Sequence, residues 1–116
     1  MTIERLHVGP RMCEATIHNG VVYLAGQVAE DPAADVAGQT RQVLASIDRL
    51  LSEAGSDRTR LLQAQIFLAD IGDFAAMNAV WDSWVPAGHT PARATVEARL
   101  AAPGYRVEIK VIAAQG

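Results

Sequence analysis

Two short stretches of this chain hold residues that could do chemistry together. Pro91-Ala92-Arg93-Ala94-Thr95-Val96 carries one arginine into a strand, and the alternating run Arg106-Val107-Glu108-Ile109-Lys110-Val111 sets one carboxylate in the middle of another. A guanidinium is always charged, and its fork of N–H donors grips a carboxylate at two points. A glutamate nearby can hold a water or move a proton. The pair predicts a pocket for a small organic acid. The competing expectations are a surface or interface salt bridge for Arg93, and pairing with a basic side chain on a neighbouring strand for Glu108.

Other reactive residue types offer less. Nothing near Cys13 marks its thiolate as stabilised. His7, His18 and His89 lack the spacing of a metal site, and Gly26-Gln27 lacks the glycine pattern of a nucleotide loop. Trp81 and Trp84 stand at helical spacing, which suits a core more than a stacking platform.

The elements that must position Arg93 and Glu108 follow from periodicity. Thr2 to Val8 reads as a first strand. Ala15 to His18 and Val21 to Ala25 flank Asn19-Gly20, a dipeptide suited to a type I′ hairpin turn. Asp35 is placed to cap a helix in which Val36, Thr40, Val43, Leu44, Ile47, Leu50, Leu51 and Ala54 form one stripe, ended by Gly55. Leu61 to Leu68 reads as a strand with Leu62, Ala64, Ile66 and Leu68 on one side.

Asp73 is placed to cap a second helix whose buried face holds Phe74, Met77, Val80, Trp81 and Trp84, stopped by Pro86 and Gly88. Strands over about Ala92 to Leu100 and Tyr105 to Ala113 finish the chain. In the first, Ala92, Ala94, Val96, Ala98 and Leu100 share one side and Arg93, Thr95, Glu97 and Arg99 the other. In the second, Val107, Ile109 and Val111 face the helices and Arg106, Glu108, Lys110 and Ile112 the reverse.

Two helices can cover only one face of such a sheet, which predicts a two-layer α+β domain. The other face mixes aliphatic and charged groups, so an oligomer is expected, with the pocket between protomers.

The totals are compatible with this. A chain of 116 residues reads as one domain over 1–116, half of it apolar. Its net charge of -3 offers no general attraction to nucleic acid or anionic lipid. One cysteine excludes an internal disulfide, and no apolar run nears the roughly 18 residues of a membrane span. A soluble cytoplasmic protein is the expectation.

Gly20, Val22-Tyr23-Leu24-Ala25-Gly26-Gln27, Asp73-Phe74-Ala75-Ala76-Met77-Asn78, Pro91-Ala92-Arg93 and Val107-Glu108-Ile109 stand in the order of the RidA/YjgF family. The chain resembles the YoaB-like branch in particular, through residues 75–84 and Val107-Glu108-Ile109-Lys110. The resemblance implies a chorismate-mutase-like α+β sandwich and a homotrimer with ligand clefts between subunits. It also implies hydrolysis of 2-imino acids, such as 2-iminobutyrate and 2-iminopropanoate, to 2-keto acids and ammonia. No metal or organic cofactor is needed for that reaction.

By the same resemblance Arg93 binds the substrate carboxylate and Glu108 is linked with the attacking water. Gly26, Asn78 and Thr95 fall at further pocket positions. The chain departs from the family at the rim. Pro10 to Ala15 replaces a segment with a pocket tyrosine, bringing Arg11 and Met12 there. Thr95 stands for a frequent cysteine, Trp81 for a helix tyrosine and Lys110 for an acid. The altered rim keeps open a non-catalytic module that binds a small carboxylate or regulates a partner through the same cleft. RNA cleavage, linked with some members, fits poorly with an acidic chain lacking a basic or aromatic RNA-binding pattern.

Overall fold

A computed structural model describes residues 2–116. Strands β1 (Glu4–Leu6), β2 (Ala15–His18) and β3 (Val21–Leu24) come first, then helix α1 (Val36–Glu53) and strand β4 (Leu61–Leu68). Helix α2 (Phe74–Trp84) and strands β5 (Ala92–Glu97) and β6 (Val107–Ala114) complete the order. One six-stranded sheet runs β1-β2-β3-β6-β4-β5. Only the β4–β5 pair is parallel, so the sheet is mixed and α2 is the crossover that a parallel pair requires.

Local chemistry explains the framework. Asn19 and Gly20 have φ of 53° and 75°, as a type I′ turn demands. Asp35 caps α1 by accepting from the Gly38 N–H at 2.8 Å. At its other end, Ser56 N–H donates to the Leu51 carbonyl and Gly55 N–H to that of Ser52, with Gly55 at φ 77°. That double closure is a Schellman motif, available because glycine tolerates the left-handed region.

The core lies between the helices and one sheet face. Val43, Ile47 and Leu51 of α1 and Met77 of α2 are fully buried with Val22, Ala64, Ile66, Leu68, Val107 and Ile109. Each large side chain there contributes about 1.5–3 kcal/mol by leaving water. The two-layer α+β expectation therefore holds.

Several expectations are corrected. The first strand is three residues long, because His7 adopts φ 54° and ends the extended run. Leu62 is 50 % exposed, while Leu61 is buried in its place. A register shift between Leu61 and Gln63 adds a residue there and turns Leu62 outward. Phe74 is also exposed rather than core. Asp73 occupies the cap position of α2 without donating or accepting a capping bond; its carboxylate lies 3.7 Å from the Arg106 guanidinium instead. β5 ends at Glu97, three residues before the expected limit.

Candidate functional site

Arg93 sits on β5, an edge strand whose register sets it beside Ala64 of β4. Ala64 is fully buried under the helices, and parallel neighbours in register share a face, so Arg93 turns toward α2. Alternation divided this strand into an alanine side and an arginine side without saying which meets the helices. Ala92, Ala94 and Val96 are exposed on the uncovered face, and Arg93 and Thr95 are half-buried.

Beneath α2, Arg93 meets a stripe spaced four and then three residues apart. Its Nη1 donates to Asn78 Oδ1 at 2.8 Å. Its Cζ lies 5.8 Å from the Phe74 ring centroid and 5.5 Å from that of Trp81. Among the described residues no carboxylate comes within 4.0 Å of it. Four of its five N–H donors therefore lack a protein acceptor, and its charge is uncompensated. Two residues on, the Thr95 hydroxyl is buried and unpartnered.

A second network fixes α2 over this strand. Arg58 grips Asp48 of α1 bidentately, Nε to Oδ1 at 3.1 Å and Nη2 to Oδ2 at 2.6 Å. Its Nη1 donates to the Trp84 carbonyl, and Trp84 Nε1 donates to Asp48 Oδ2 at 3.0 Å. A cation at the last turn of α2 also suits the helix dipole. The end of α2 is thus pinned to α1 and to the entry of β4.

Glu108 lies on the reverse side of the sheet, half-buried between buried Val107 and Ile109. Its carboxylate packs against Gly26, where a Cβ would collide with it. Gly26 can approach because five residues from Tyr23 to Gln27 oppose four from Ile112 to Ile109, a bulge in the β3–β6 pairing. Gln27 closes the bulge by exchanging two backbone hydrogen bonds with Ile109. Along the uncovered face, the β4 register aligns Glu108 with Phe67 and Val96, and Lys110 with Gln65 and Ala94.

One chain thus brings together Arg93, Asn78 and Trp81, and separately Gly26 and Glu108. It does not bring those two groups together, since they occupy opposite faces. Arg11 and Met12 lie exposed on the β1–β2 connection, at the end of the sheet order away from β5.

Sequence reading missed Phe74 as a partner of Arg93; its place in the stripe with Asn78 and Trp81 was the available signal. It also missed Gln39, fully buried on α1. The Gln39 amide donates to the carbonyls of Pro32, Ala34 and Gly104, and its oxygen accepts from Arg106 N–H at 2.9 Å. It anchors the turn that leads into Glu108.

Comparison with known proteins agrees with this architecture. The family model described as Endoribonuclease L-PSP matches residues 2–115. The RutC family protein YoaB of Escherichia coli K12 is 50 % identical over 114 residues, covering 98 % of this chain and 99 % of that protein. A goat (Capra hircus) protein named 2-iminobutanoate/2-iminopropanoate deaminase is 36 % identical over 115 residues, covering 94 % and 82 %. The crystal structure of a YjgF-family protein from Neisseria meningitidis superposes with a TM-score of 0.97 at 52 % identity, covering 100 % of this chain and 97 % of that one. The fold is accordingly the chorismate-mutase-like sandwich.

Proposed function

This chain belongs to the RidA/YjgF family, on its YoaB-like branch, and we propose that it hydrolyses reactive 2-imino acids to 2-keto acids and ammonia. The observation that carries the proposal is the uncompensated guanidinium of Arg93, oriented by Asn78 and two rings. Such a group selects an anion with two parallel acceptors, which is what the carboxylate end of an imino acid presents. The deaminase name of the goat relative supports the reaction class.

In this mechanism Arg93 fixes the carboxylate so that C2 of the iminium faces a water held by Glu108. The water oxygen bonds to C2 while the C=N π electrons move onto nitrogen, and Glu108 takes the released proton. Returning that proton to the amino nitrogen makes ammonia the leaving group. The C–N bond then breaks as the C2 hydroxyl gives its proton to the Glu108 carboxylate and becomes the ketone, and Glu108 passes that proton on to the departing ammonia or to water. An iminium carbon is already electrophilic, so positioning and electrostatics suffice.

Because Arg93 and Glu108 occupy opposite faces of one sheet, the site is assembled from two subunits. The uncovered face, with Tyr23, Val96 and Ile112 beside Glu108 and Lys110, supplies the contact surface of a homotrimer.

The rival reading is a carboxylate-binding or regulatory module. The Arg93 cradle supports it too, since it is complete without Glu108. RNA is disfavoured by the net charge of -3.

The test generates 2-iminopropanoate with an amino-acid oxidase and follows its trapping by semicarbazide. Wild type lowers the trapping rate and Arg93→Ala does not. Equal trapping with and without wild-type protein rejects the hydrolase. Calorimetry with 2-ketobutyrate then decides the module, where Arg93→Ala loses about 2–4 kcal/mol of affinity. Unchanged affinity in that variant rejects both readings.

A further inference from the structure

Phe74 opens α2 and is 41 % exposed, yet its ring lies against a cation rather than in bulk solvent alone. Phe74, Asn78 and Trp81 recur at four and three residues, so one helical stripe delivers two rings and an amide oxygen to one guanidinium. The amide fixes a single N–H. It leaves the guanidinium free to rotate about that bond, and an unpaired arginine samples many rotamers. Two ring contacts remove that freedom because the cation is drawn to both π systems.

We infer that Phe74 is a positioning residue: it holds the Arg93 fork in the plane in which its free N–H groups meet a carboxylate. The inference rests on the proposed carboxylate role of Arg93. Phe74 acts on substrate through that cation and not as an apolar wall. A carboxylate gripped equally before and during reaction contributes uniform binding, so the loss falls on KM and leaves kcat unchanged.

The experiment compares wild type with Phe74→Leu and Phe74→Tyr. Both retain an apolar side chain of similar bulk at an exposed site, and thermal unfolding confirms that they fold. Phe74→Leu raises KM for the imino acid, or Kd for 2-ketobutyrate, by about fivefold, whereas Phe74→Tyr stays near wild type. Nitrogen-15 relaxation of the Arg93 Nε–H pair shows lost order in Phe74→Leu and retained order in Phe74→Tyr.

Leucine that binds like wild type overturns the inference, as does weakened binding with Arg93 order unchanged. If Arg93→Ala itself leaves acid binding intact, the carboxylate reading fails first, and the two failures are told apart.

Discussion

An arginine half-buried beneath a helix usually has a carboxylate beside it; Arg93 has an amide. Asn78 orients the guanidinium without neutralising it. Replacing that amide by its isosteric acid makes the point testable. Asn78→Asp places an anion within reach of Nη1 and satisfies the charge internally. Stability rises slightly, by about 0.5–1 kcal/mol for a partly exposed pair. Affinity for 2-ketobutyrate falls at least tenfold, as calorimetry would register. Arg93 and Asn78 were legible in the sequence because the family pattern marks both. Phe74 was not, since a phenylalanine at the start of an amphipathic helix satisfies a core pattern equally well.

At the level of elements, the hairpin, both helices and the central strands followed from turn chemistry and periodicity. Their ends did not, because register and backbone irregularities decide them. The shift at Leu61/Gln63 turned Leu62 outward, and the parallel register that pairs Arg93 with Ala64 sets Arg93 and Thr95 toward α2. No local pattern encodes which side of an alanine-rich edge strand meets a helix. Gln39 is a comparable case: a polar residue in an apolar stripe, buried because it serves two loops at once. Gln39→Ala leaves the Arg106 N–H and several carbonyls without partners. It costs about 2–4 kcal/mol in denaturant unfolding. Activity falls further than the folded fraction explains, because the turn before Glu108 loses its anchor.

Across the whole molecule, the separation of Arg93 from Glu108 by the thickness of the sheet makes a specific demand on assembly. Arg93→Ala and Glu108→Gln subunits are each inactive alone. When mixed and reassembled, they recover a fraction of wild-type turnover, because some clefts combine an intact arginine with an intact glutamate from different chains. Semicarbazide trapping on the mixture reads that recovery directly. No recovery in a verified mixed oligomer would place both groups in one chain's site and contradict the geometry described. The expectation of an oligomer came from the mixed character of the uncovered face. That Arg93 and Glu108 lie on opposite faces was not legible, since it depends on the side to which β5 turns.

If the proposed cleft is correct, a lone chain carries its arginine and its glutamate back to back and turns nothing over. Turnover per chain then falls steeply on dilution below the concentration at which copies associate.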